Sequence, residues 1–73
     1  MTNDTDFALR GEYIALDALL KATGLAASGG AAKTLIATGG VAVNGEPETR
    51  RGRKLRVGDV VTVGELRVQI HGP

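Results

Sequence analysis

The sequence predicts an α+β domain in which two packed helices lie against a small, largely antiparallel sheet. Three observations carry that prediction: two stretches of helical apolar spacing that each run into glycine, an Asn-Gly pair after alternating valines, and a second alternating apolar stretch broken by Gly64-Glu65. At 73 residues there is room for one domain, and its core must be aliphatic. Eighteen residues are Leu, Ile or Val and ten are Ala, against two aromatics, Phe7 and Tyr13. A chain this short buries about 60% of the surface its unfolded form exposes, which leaves little room for an enclosed substrate pocket.

Taken in order, residues 1–6 are polar and read as a disordered N-terminus, with one domain over residues 7–73. Phe7-Ala8-Leu9-Arg10 alternates weakly, as a short edge strand does. Leu16, Leu19, Leu20 and Thr23 fall at i, i+3, i+4 and i+7, which puts one apolar stripe on a helix over roughly residues 15–23. Gly24 stops it, and in a left-handed C′ position it would bring Leu25 onto Leu20. Ser28 caps the next helix, roughly residues 29–38, whose inward face is Ala31, Ala32, Leu35 and Ile36 before Gly39 closes it. The short link between the helices predicts that they pack together. Val41 and Val43 then alternate into Asn44-Gly45, a strong hairpin signal, and Pro47 makes the return limb an irregular edge. Lys54 to Val57 reads as a further short strand or extended segment, Gly58-Asp59 turns the chain, and Val61 and Val63 pair with Leu66, Val68 and Ile70 in a second hairpin. Val41, Val43, Leu55, Val61, Val63 and Leu66 should join Leu16, Leu19, Leu20, Leu35 and Ile36 in one core.

Several classes of function are disfavoured. There is no cysteine, so disulfides and thiolate metal sites are excluded, and His71 is the sole histidine, close to the C-terminus and expected to be exposed and idle. Apolar stretches fall far short of the ~20 residues that span a bilayer, and the acidic start at Asp4 and Asp6 is unlike a signal peptide, so a cytoplasmic monomer without a membrane partner is expected. Lys33-Thr34 could end a phosphate-binding loop, but Ala27 and Ala32 stand where that motif requires glycine. Glu46, Glu48 and Asp59 lie among turns and basic groups with no histidine or nucleophile nearby, and read as solvated turn carboxylates. No catalytic residue, metal ligand or cofactor is expected, and the chain reads as a non-enzyme.

The net charge is +1, yet it is unevenly distributed. Residues 1–20 hold Arg10 against Asp4, Asp6, Glu12 and Asp17, whereas residues 21–56 hold seven basic side chains against Glu46 and Glu48. Five of those seven lie in Arg50-Arg51-Gly52-Arg53-Lys54-Leu55-Arg56. Such a run is either a solvated face or a polyanion contact, and the planar forks of arginine suit phosphates. In an extended segment Arg53 and Leu55 share one face, and Lys54 and Arg56 the other. Gly29-Gly30 likewise has two readings: a flexible start to a helix, or an opening through which a phosphate reaches helix N–H groups.

The order of helix, glycine stop, V-x-V-N-G hairpin and basic strand resembles the αL RNA-binding motif, named for the RNA-binding domain of ribosomal small-subunit protein four. The likeness covers about residues 14–63: Leu16-Asp17-Ala18-Leu19-Leu20 is similar to the first helix, Ser28 with Ala32-Lys33-x-x-Ile36 to the second, Gly39 to Gly45 to the hairpin, and Gly58-Asp59-Val60-Val61 to the closing strand. The small bacterial members without a catalytic domain are the most similar. The resemblance implies binding of structured RNA, ribosomal or transfer, by Ser28, Gly29, Gly30, Lys33, Asn44, Arg50, Arg51, Arg53, Lys54 and Arg56. Gly29 stands where many members carry an arginine. The alternative is a protein-interaction module docking on a ribosomal or RNA-processing partner.

Overall fold

The computed structural model describes residues 3–73, so Met1 and Thr2 of the expected disordered N-terminus lie outside the described residues. In chain order the elements are β1 (Asn3–Ala8), β2 (Ile14–Ala15), α1 (Leu16–Ala22), α2 (Gly29–Ala37), β3 (Ala42–Val43), β4 (Glu46–Pro47), β5 (Lys54–Leu55), β6 (Val60–Val63) and β7 (Leu66–His71). Five strands form one sheet in the order β1-β7-β6-β3-β4, and β2 and β5 form a second, two-stranded antiparallel sheet. Every pairing is antiparallel except β1 with β7.

The first strand differs from expectation. Asn3 to Asp6, read as frayed, are paired strand residues, in register from Asn3 with Leu66 to Ala8 with His71. Polar side chains stabilise this edge through the partner strand: Asp4 takes a two-pronged ion pair from Arg67 at 3.0 Å, and Asp6 Oδ1 lies 3.0 Å from His71 Nε2. His71 is therefore engaged, not idle. Polar contacts as exposed as these contribute little stability each, but they fix which residues face one another.

The helices follow their patterns closely. On α1, Leu16, Leu19 and Leu20 are completely buried. Gly24 is left-handed at φ 77° and its N–H donates to the Lys21 carbonyl, but the bond to the Leu20 carbonyl comes from Ala26, one residue later than a Schellman ending would place it. The Ser28 hydroxyl caps α2 by accepting from the Ala31 N–H at 3.1 Å. Ala32 and Ile36 are buried, Leu35 is half-buried, and Ala31, expected inward, is exposed. The end of α2 is a complete Schellman motif, with Gly39 donating to the Ile36 carbonyl and Gly40 to that of Leu35.

Gly39 sits at φ 82°, a left-handed conformation that costs any side chain about 1–2 kcal/mol. Gly39→Ala is accordingly expected to lower stability by about that amount, checked by urea denaturation. In the β3–β4 hairpin, Asn44 at φ 53° and Gly45 at φ 85° form the turn with both central residues left-handed, whose twist suits the flanking strands.

One core joins both helices to both sheets: Leu9, Leu16, Leu19, Leu20, Ala26, Ala32, Ile36, Val41, Val43, Leu55, Val61, Val68 and Ile70. Leu35 and Val63 pack at its margin, and Leu66, expected inside, shares the inner face of Val68 and Ile70 but is only half-buried, because it begins β7 beside the Gly64-Glu65 turn. No helix among the described residues is long and apolar enough to cross a membrane.

Candidate nucleic-acid interface

The basic run is folded into a defined loop. The Arg53 N–H donates to the Arg50 carbonyl at 3.2 Å, closing a turn with Arg51 and Gly52 at its corners. That turn also completes α1. Ala15, at the helix N-cap, offers no side-chain oxygen, and the first free N–H groups of the helix, on Leu16 and Asp17, donate to the carbonyls of Arg53 and Arg51 at 2.9 and 3.1 Å. Helix and loop thus satisfy each other's backbones, and the arginines project from a braced frame.

Inside the loop sits Glu48, the one buried charged residue among the described residues, at 6% exposure. Its carboxylate accepts from Arg50 Nε at 3.0 Å, Arg50 Nη2 at 3.1 Å, the Arg50 N–H at 3.1 Å and Arg53 Nη1 at 2.8 Å. Hydrogen bonds from Arg50, then Arg53, hold this carboxyl far below the usual carboxylate range. The reading of Glu48 as a solvated turn carboxylate is corrected: one anion gathers two arginines that the turn brings to its side. Asp59 is also structural. Burial pushes its carboxyl up, but the Arg56 N–H, the Asn44 amide and the charges of Arg53 and Arg56 outweigh this and hold it below its ordinary value.

Arg50, Gly52, Arg53, Lys54 and Arg56 line one open concave surface. Among the described residues, no carboxylate forms an ion pair with Arg51, Lys54 or Arg56. One buried anion against five cations leaves the loop strongly positive, the condition that draws a polyanion to a nearly neutral protein.

The other expected residues lie apart from this concavity. Asn44 is absorbed by the scaffold: its Oδ1 accepts from the Val60 N–H at 2.9 Å, its Nδ2 donates to Asp59 at 3.0 Å, and its own N–H donates to the Val60 carbonyl at 2.7 Å. Its side chain welds the hairpin turn to β6. Ser28, Gly29, Gly30 and Lys33 are all exposed on α2 and its cap. No atom lies within 4 Å of a Cβ built at Gly29, and only the Ser28 hydroxyl, at 3.9 Å, near one at Gly30, so internal packing does not demand glycine at either position. No group of three or more His, Cys, Asp or Glu among the described residues is arranged to hold a metal ion.

A model of the S4 domain family matches residues 7–71, nearly all of the chain. The chain belongs to the S4 domain family. A probable ribosome maturation protein, RlbA of Bacillus subtilis (strain 168), is 50% identical over 52 residues, covering 71% of this chain and 73% of that protein. The helix pair, Gly39-Gly40 ending and V-x-V-N-G hairpin that pointed to this family are thus the frame from which the basic loop projects.

Sequence reasoning missed two residues at this surface. Glu48 carries a weak signal, its two-residue spacing from Arg50 and five-residue spacing from Arg53. Tyr13 is 47% exposed, with Lys54 Nζ 5.0 Å and Arg56 Cζ 5.9 Å from its ring centroid. The pairing of β2 with β5 that brings them together is only two residues long and leaves no periodic trace.

Proposed function

We propose that this S4-domain protein is a non-catalytic RNA-binding protein that recognises structured RNA, probed first with ribosomal RNA, through the basic loop from Arg50 to Arg56. The observation that carries this reading is the convergence of Arg50, Arg53, Lys54 and Arg56 on one concave surface. The likeness to a probable ribosome maturation protein supports ribosomal RNA and ribosome assembly as its setting. Ser28, Gly29, Gly30 and Lys33 would extend the contact along the start of α2, where bare N–H groups and a lysine face solvent. Asn44 would act indirectly, by holding the hairpin. A-form RNA hides its major groove, so the targets are phosphates, 2′-hydroxyls and the irregular shapes of loops and junctions. A protein-docking module would expose a contiguous apolar patch, whereas the exposed large apolar side chains found among the described residues are Tyr13 and Val57.

Filter binding to a structured ribosomal RNA fragment tests the reading. Neutralising roughly three to five phosphates gives a slope of log affinity against log salt of about −2 to −4. Arg51→Ala with Lys54→Ala removes two cations that the fold does not use as ion-pair partners. It is expected to weaken binding to many RNA sequences and to flatten the slope by roughly one to two. Unchanged affinity and slope would make the loop a solvated face and bring forward a protein partner.

A further inference from the structure

Tyr13 is an aromatic side chain left half in solvent, in a chain whose other aromatic, Phe7, packs against the core. Its surroundings are set by the small sheet. Ile14 pairs with Leu55 and Ala15 with Lys54, so the residue before β2 falls opposite Arg56. Strand alternation sends Leu55 into the core and leaves Lys54 and Arg56 on the outer side with the Tyr13 ring. Lys54 Nζ and Arg56 Cζ then stand 5.0 and 5.9 Å from the ring centroid. Arg56 is further held by its N–H to Asp59 Oδ2 at 2.8 Å and by a long contact of 3.5 Å from Nη1 to the Glu12 carbonyl. Both cations also line the basic concavity.

A half-exposed aromatic ring beside two side-chain cations that, among the described residues, form no ion pair combines what a single-stranded nucleic acid requires: a surface for a base and charges for the phosphates beside it. A base inside a duplex is stacked on both sides and cannot use it. A base in a loop, a bulge or a single-stranded overhang can.

We propose that Tyr13, Lys54 and Arg56 form a subsite that stacks one unpaired RNA base beside the phosphate-binding loop. The proposal rests on the RNA-binding reading and adds to it a preference, for unpaired nucleotides in loops and bulges over base-paired helix.

The chain has one tyrosine and no tryptophan, so its tyrosine emission reports this ring alone. The full chain is titrated with an RNA hairpin carrying a loop of several unpaired nucleotides and with a blunt RNA duplex of equal phosphate number. The hairpin is expected to quench the emission more strongly and to bind about tenfold more tightly or better, the scale of one base stacked on an aromatic ring. Tyr13→Phe should keep that preference. Tyr13→Leu should bring the two affinities close to parity while leaving the salt slope unchanged, because no phosphate contact is lost. Equal quenching by both RNAs, or a wild-type preference in Tyr13→Leu, would overturn the subsite and leave the phosphate-binding loop standing. Absence of binding to either RNA would remove both. Should Tyr13→Leu fail to fold, the contrast in emission of the unaltered chain decides.

Discussion

Leu20→Ala is expected to lower stability by about 2–5 kcal/mol, the range for removing a fully buried leucine with partial collapse of the space it leaves. Leu20 has no exposed surface and lies where α1 meets the rest of the core. The Leu20 carbonyl also accepts from Ala26, so its own turn of backbone shapes the link to α2. Small domains have about 5–15 kcal/mol in all, and in one of this size each kcal/mol shifts the melting temperature by about 4–8 °C. A fall of about 10 °C or more by circular dichroism is therefore the expected result, with Lys21→Ala on the exposed side as the reference. Equal melting of the two variants would show that the apolar stripe on α1 does not face the core.

The second large effect concerns Glu48, whose loss leaves two arginines and a backbone N–H without their shared acceptor. The direction of its pH dependence follows from linkage. The folded carboxyl titrates far below its ordinary value of about 4.5, so the stabilisation is complete above that value and drains away as pH falls below it. Glu48→Gln should melt well below the unaltered protein at pH 7, and the gap should begin to narrow below about pH 4.5 and go on narrowing as the pH falls towards the far lower range of the folded carboxyl. Asp59 is shifted in the same direction and persists in both proteins, so the difference isolates Glu48. A gap independent of pH would mean that shape, not the ionised pairing, is what Glu48 supplies.

Much of this architecture was legible because its signals are local. Leu16, Leu19 and Leu20 declare a helical face within five residues, Gly39 its end, and Asn44-Gly45 a turn between adjacent strands. The parts that were not legible depend on partners far along the chain. Asn3 to Asp6 look like a polar tail until Arg67 and His71 stand opposite, and β2 exists because Lys54 and Leu55 arrive beside it. The candidate site divides in the same way. The charge of Arg50 to Arg56 is plain from composition, but its arrangement around Glu48 is not, because nothing periodic marks a carboxylate that is buried by the groups it binds. Asn44 was legible as a turn residue, and its bonds to Asp59 and Val60 divert it from the direct contact expected of it.

The parallel pairing of β1 with β7 has a consequence for the order in which the molecule assembles. β6 and β7 are joined by Gly64-Glu65 and can meet almost as soon as both exist, whereas Asp4 and Arg67 are 63 positions apart. Closing a longer loop adds only about 0.6 kcal/mol for each doubling of its length, but contacts between distant segments slow folding far more than they weaken the product. β7 lies inside the sheet and β1 at its edge, so the hairpin offers a ready template to which the first-made strand adds late, as a zipper closed after the garment is on. The opposite charges on β1 and β7 then work as a register mark, so that a strand with few apolar residues arrives in step and not one residue out.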